Sequence, residues 1–238
     1  MPTLSSQSRD RLKENLWAVN QEIKDACDRA NRSVEDVRLI AVSKGQDYAL
    51  IKEAYGLYQR DFGESYAQEL SQKISRARRD GLSDICWHFI GAIQTNKLKW
   101  ILEADVIHSI SSLRHAALID GRLRKPLQVF CEVNLDKDPG RQGFFKEEVV
   151  AAIEQISSLE RIRLAGLMTI LPRQIDASPD HWFGVMRDLR EQIISQGLMD
   201  KVSLSMGMSD DFVQAIEHGA NFIRVGTKIF GPRSGSKG

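Results

Sequence analysis

The sequence predicts an α/β fold of the (β/α)8 type: a TIM barrel with one extra N-terminal helix, in a single domain. Three observations carry that expectation. Strand-like and helix-like segments alternate eight times between Val37 and Gly226. The strand-like segments are mostly short apolar runs, as in a parallel sheet covered on both faces. The 238 residues approach the roughly 250 that such barrels use. An open doubly wound sheet is the alternative, with fewer strands and a Gly-rich first turn. The first turn here is Ser43-Lys44-Gly45-Gln46 and carries no GxGxxG.

Leu12, Leu16, Val19 and Ile23 recur at steps of four, three and four and make one apolar stripe, so residues 5–32 are expected to be a helix. The alternation then begins, with strands expected at 37–43, 60–63, 85–91, 106–110, 127–135, 162–169, 202–206 and 222–226. The intervening helices are expected at 49–58, 64–79, 94–103, 112–123, 146–158, 180–196 and 210–218, and the eighth is the least clear. The expected division is an N-terminal helix packing on the barrel (1–35), the barrel (36–233) and a flexible tail (234–238).

Charged residues make up 27% and hydrophobic residues 42%, with a net charge of +1. That balance gives no global field to attract nucleic acid or an acidic membrane. The longest apolar runs are too short to cross a bilayer. The segment from Met1 to Arg11 has no apolar signal core, so a cytoplasmic protein is expected. Cys27, Cys86 and Cys131 form no CxxC pair and suggest neither a disulfide framework nor zinc. Cys131 reads as a small core residue.

In a barrel, the carboxyl ends of all strands face one mouth. Strand one ends in Lys44, and an amine near apolar walls has a lowered pKa and can attack carbonyls. A lysine that simply ends its strand in solvent is the other reading. Barrels often hold a phosphate with the loops after strands seven and eight. Those loops carry Ser209 and Gly226-Thr227: two hydroxyls, and a glycine that lets backbone amides approach closely. Taken singly, Ser209 could be a helix N-cap and Gly226-Thr227 an ordinary turn. Arg224 lies within an apolar strand and needs an acceptor, either a carboxylate such as Glu64 or Asp210, or a ligand. A nucleophilic lysine facing a phosphate cradle fits an aldehyde cofactor bearing a phosphate, pyridoxal 5′-phosphate (PLP), with Lys44 forming the imine.

At these residues the chain resembles the pyridoxal-phosphate homeostasis protein family. The matching stretches are Ala41-Val-Ser-Lys44, Phe62-Gly-Glu64, Trp87-His-Phe-Ile-Gly91 with Gln94-Thr-Asn-Lys97, Gly166-Leu-Met168, Gly207-Met-Ser-Asp210, and Arg224-Val-Gly-Thr227 with Ile229-Phe-Gly231. The resemblance implies a fold-type III PLP barrel related to the barrel domain of alanine racemases. It implies Lys44 as the Schiff-base lysine, Ser209, Gly226 and Thr227 as phosphate contacts, and Arg224 near the ring or phosphate. Ser65 and Met168 join them as candidate cofactor contacts. The family often has Asn at the position of Ser65, Lys at that of Arg141 and Thr at that of Gly45.

Catalysis on PLP needs more than a lysine. In alanine racemases a tyrosine from a second domain serves the other face of the substrate. The eight strand–helix steps here use the chain up to about Gly231, and of four tyrosines only Tyr66 falls near a strand end. An arginine at the ring nitrogen would also weaken the ring as an electron sink. Both points favour a protein that holds the cofactor, and the resemblance implies a carrier involved in vitamin B6 and amino-acid or keto-acid balance; a monomer is expected, with PLP-dependent apoenzymes as recipients. A racemase-like enzyme and a barrel for another phosphorylated metabolite are the alternatives. His88, His108 and Asn134 are read as hydrogen-bonding residues of the barrel mouth, and no metal is expected.

Overall fold

The computed structural model describes residues 4–172 and 177–232. The expected tail at 234–238, and the barrel limit at 233, lie outside the described residues. The described residues form nine strands: β1 (Arg38–Val42), β2 (Asp61–Glu64), β3 (Cys86–Phe89), β4 (Val106–Ile110), β5 (Leu127–Asn134), β6 (Phe144–Phe145), β7 (Ile162–Met168), β8 (Ser203–Ser205) and β9 (Phe222–Val225). Eight of them close a parallel barrel in the order β1-β2-β3-β4-β5-β7-β8-β9, and β9 pairs back onto β1. The short β6 adds to β5 outside that ring, through Val133 and Asn134. It was not anticipated, because two residues carry no periodicity to read.

The helices are α1 (Ser6–Arg29), α2 (Tyr48–Gly56), α3 (Ala67–Arg79), α4 (Leu98–Ile101), α5 (Leu113–Asp120), α6 (Val149–Ser157), α7 (Pro179–Ser195), α8 (Phe212–Glu217) and α9 (Thr227–Phe230). The Ser5 hydroxyl caps α1 by accepting from the Ser8 amide at 3.1 Å. The stripe Leu12, Leu16, Val19 and Ile23 is buried as its spacing requires, a gross gain of roughly 6–12 kcal/mol at 1.5–3 per side chain. Polar ties set where α1 lies. Asn15 Nδ2 donates to the Ile229 carbonyl at 2.9 Å, and Arg32 Nη1 to that of Ile216 at 2.7 Å.

Four expected helices, α3, α4, α6 and α8, begin two to four residues late, and for α3 and α8 the local reason is plain. Glu64 finishes β2 as a buried residue, so α3 starts only after Tyr66 takes the N-cap. Asp211 occupies the N-cap of α8, so that helix starts at Phe212 rather than Asp210. One glycine is required by the barrel itself. Gly166 on β7 has φ 155°, and a Cβ there would meet the Ser203 carbonyl oxygen at 1.9 Å. No helix among the described residues is long and apolar enough to cross a membrane.

Candidate functional site

β1 delivers Lys44 to the carboxyl-terminal mouth, and a buried polar network holds the residues on either side of it. The Ser43 hydroxyl donates to Glu64 Oε1 at 2.6 Å. Lys73, reaching in from α3, donates to the Ser43 carbonyl, to Glu64 Oε1 and to Glu69 Oε1, each at 2.7 Å. Glu69 Oε1 also accepts from the Gly45 amide at 2.8 Å. Both peptide units flanking Lys44 are thus anchored to one ammonium. Burial raises the Glu64 carboxyl to about 6, although Lys73 and Ser43 pull it the other way.

Lys44 is half-buried and lines a cavity of about 240 Å³ with Val42, Gln46, Ser209, Arg224, Gly226 and Thr227 among its walls. Beside the lysine stands the end of the neighbouring strand β9, and next to it the end of β8. Ser209 caps no helix. The N-cap residue is Asp211, whose carboxylate accepts from the Met208 amide at 2.5 Å. That leaves the Ser209 hydroxyl to meet β9: it accepts from Thr227 Oγ1 at 3.0 Å and from the Gly226 amide at 3.4 Å. Gly226 packs its Cα against β1, where a Cβ would lie 3.2 Å from the Val42 carbonyl oxygen. The result is a compact group of two hydroxyls and a backbone amide, donors suited to a phosphate.

Arg224 shares the cavity but does not pair with Glu64 or Asp210. Its Nη1 donates to Ser205 Oγ and its Nη2 to the Thr169 carbonyl, both at 2.7 Å. Glu64, on β2 and two strands round the barrel from β9, is engaged by Ser43 and Lys73. Burial lowers the guanidinium to about 10 against the attraction of Asp211 and Glu132, so it remains a cation at neutral pH. Among the described residues two of its five N–H donors find partners, and three remain.

His88 and His108 lie inside the barrel rather than at its mouth, and both are fully buried. The apolar neighbours of His88 in sequence, Trp87 and Phe89, point outward into the strand–helix layer, which turns the imidazole inward. His88 Nε2 lies 2.9 Å from Asp61 Oδ1, and its Nδ1 lies 2.9 Å from His108 Nε2. His108 Nδ1 lies 2.9 Å from Ser205 Oγ. Burial, followed by the neighbouring His88 ring and the Arg224 charge, holds His108 well below the usual imidazole range, so it is neutral. Asn134 is also buried and donates to the carbonyls of Asp138 and Arg141.

Lys44, Ser209, Arg224, Gly226 and Thr227 therefore converge on one cavity. Met168 does not line it. It is buried with Val106 and Phe130 in the barrel interior. Ser65 is half-buried beside Gly91, whose Cα packs on the Ser65 backbone, and is also absent from the lining. A second cavity of about 820 Å³, lined in part by Glu132, Asp136 and Arg141, shares Ile90 and Ile170 with the first. Sequence reasoning missed Lys73, Gln46 and Ser205. Lys73 sits on a strongly charged helix whose periodicity marks Leu70, Ile74 and Ala77 as its buried face, and nothing local says that this amine turns inward.

The family model of the alanine racemase N-terminal domain matches residues 15–234. The pyridoxal phosphate homeostasis protein of Escherichia coli (strain K12) is 36% identical over 234 residues, covering 95% of this chain and 98% of the relative. That of Mus musculus is 34% identical, covering 93% and 87%. Among solved structures, PipY of Synechococcus elongatus with PLP bound aligns with a TM-score of 0.80 at 33% identity, over 92% of this chain and all of that one. Alanine racemase from Corynebacterium glutamicum aligns with a TM-score of 0.69 at 15% identity, over 96% of this chain and 62% of that one, a likeness of fold alone. With a barrel of this topology and relatives matched over nearly its whole length, the chain belongs to the pyridoxal phosphate homeostasis protein family, built on the alanine racemase N-terminal domain.

Proposed function

We propose that this protein binds PLP at the barrel mouth, tethered as a Schiff base to Lys44, and serves PLP homeostasis. The carrying observation is the convergence of Lys44 with the Ser209–Gly226–Thr227 donors and Arg224 on one cavity. These residues fit the group: an amine for the aldehyde, hydroxyl and amide donors for the phosphate, and a buried cation with donors to spare. When bound, PLP supplies an aldehyde that condenses with a primary amine as water leaves. Lys44 provides that amine from a strand end whose flanking peptides are fixed by Lys73. Ser209, Thr227 and the Gly226 amide orient the phosphate, and Arg224 faces the ring or phosphate.

The role is holding rather than turnover. Arg224 remains charged, and a cation at the ring nitrogen disfavours the ring protonation that carbanion chemistry uses. The relatives at 34–36% identity are named for homeostasis, which supports the same reading. A cytoplasmic monomer that passes PLP to apoenzymes completes it, and three unpaired cysteines suit a reducing compartment. Borohydride reduction with PLP, followed by peptide mass spectrometry, should label Lys44 and give no label there in Lys44→Ala. A label confined to other lysines would overturn the proposal. Chiral analysis of amino acids incubated with the loaded protein should show no Lys44-dependent interconversion.

A further inference from the structure

The buried polar residues of the barrel axis form one continuous chain. It starts at Asp61, the first residue of β2, and passes through His88 on β3 and His108 on β4 to Ser205, the last residue of β8. Arg224 closes it, donating to Ser205. The chain thus runs from the amino end of the barrel to the cavity that holds Lys44.

The direction of every link follows from donor counting. Arginine only donates, so Ser205 Oγ accepts from Arg224. The single Ser205 proton then goes to His108 Nδ1, its other polar neighbour. His108, neutral and accepting at Nδ1, carries its proton on Nε2 and donates to His88 Nδ1. His88 in turn carries a proton on Nε2 and donates to Asp61. Each buried donor and acceptor of the chain is satisfied once. The reversed order would leave the Ser205 hydroxyl proton without an acceptor in a fully buried site, costing about 1–3 kcal/mol. It would also turn a lone pair of His88 toward the Asp61 carboxylate, unless His88 were a second buried cation.

We propose that His88 and His108, both in the Nε2–H tautomer, are positioning residues for Arg224. No carboxylate pairs directly with this buried guanidinium among the described residues. Besides the attraction of Asp211 and Glu132, an aligned series of hydrogen-bond dipoles links it to Asp61 at the far end of the barrel. The relay keeps Arg224 charged and fixed with its remaining donors available at the cavity. The tautomer also uses the His88 nitrogen nearest Asp61 and Cys86. These three donor groups lie within 4.8 Å of one another, but the Nε2 proton and the Arg38 guanidinium, 3.3 Å from Asp61 Oδ1, make them a poor metal site. The functional half of the inference rests on Arg224 facing the cofactor.

Two measurements test it. The first is long-range ¹H–¹⁵N correlation of the imidazoles in the ligand-free wild type, with assignment aided by His108→Phe, which keeps the ring stacked on Phe130. It should show both rings neutral, with Nδ1 bare and Nε2 protonated. An Nδ1–H tautomer or an imidazolium at either residue near neutral pH would overturn the relay. The second is PLP binding to His108→Phe, Arg224→Lys and the double variant. His108→Phe should weaken PLP about tenfold in the wild-type background, the scale of a hydrogen bond to a charged group, but less than about twofold beside Arg224→Lys. Equal losses in both backgrounds would refute action through Arg224. The stated tautomers with PLP binding unchanged in both single variants would overturn Arg224 as cofactor-facing. A wrong tautomer defeats the relay whatever the binding shows.

Discussion

Lys73→Met should separate the buried network beneath Lys44 from the chemistry above it. Lys73 is 5% exposed and makes three 2.7 Å hydrogen bonds, one of them to a carboxylate that is 0% exposed. Removing one partner of such a pair leaves the other charge uncompensated, at a cost of about 3–5 kcal/mol. For a chain of this size that corresponds to a Tm lower by roughly 6–20 °C. The sign with pH follows from Glu64. Its folded pKa, about 6, is raised from an ordinary 4.5, so the folded state holds the proton more tightly. The stability from that proton is complete below about 4.5 and is lost as pH rises through the folded value. In Lys73→Met the two effects that lower Glu64 from Lys73 vanish, so its pKa rises further and the loss extends to higher pH. The deficit against wild type should therefore be smaller at pH 5 than at pH 8. Adding Glu64→Gln removes the buried charge and should restore about 2 kcal/mol or more at pH 8. Urea unfolding of the wild type, the single variant and the double variant at both pH values decides the matter. A deficit that is independent of pH, or a double variant no more stable than Lys73→Met, would refute the reasoning.

Ser209→Ala removes the hydroxyl at the centre of the cradle and should weaken PLP about 10–100-fold; isothermal titration with unphosphorylated pyridoxal should show little change, since that ligand lacks the group in question. Gly166→Ala drives a methyl to within 1.9 Å of the Ser203 carbonyl oxygen and should cost more than about 3 kcal/mol, read as a lowered urea midpoint or loss of soluble protein. Cys86 and Cys131 have thiols pushed up to about 12, chiefly by burial, so neither should react with iodoacetamide in the native protein at pH 8, while both label after unfolding; mass spectrometry reads the difference.

The architecture was legible because it is written in local, repeated signals. β4 matches its expected limits at Val106–Ile110, and the other barrel strands differ by no more than two residues at either end. The helices were less clear at their starts, where the backbone of one residue turns out of the helix: Tyr66 and Asp211 each take an N-cap, with no side-chain hydrogen bond to the helix, that periodicity cannot assign. The mouth was legible in part for the same reason. In a closed parallel barrel every strand end reaches one face, so Lys44, Ser209, Gly226 and Thr227 could be brought together before any coordinate.

What the sequence could not say is who partners whom across the barrel. Arg224 called for an acceptor, and nothing local separates Glu64 from Ser205 as the residue that meets it. That choice depends on strand stagger and on Lys73 having already engaged Glu64 from a neighbouring helix. Likewise His88 and His108 are two rings on two strands, twenty residues apart; only barrel closure stacks them between Asp61 and Ser205 as one directed chain. The sequence by itself determined the barrel, its chemical mouth and the lysine there, because periodicity and strand order are properties of short segments. The tertiary structure decided the polar pairings that hold that mouth in shape, because those are set by geometry between segments far apart along the chain.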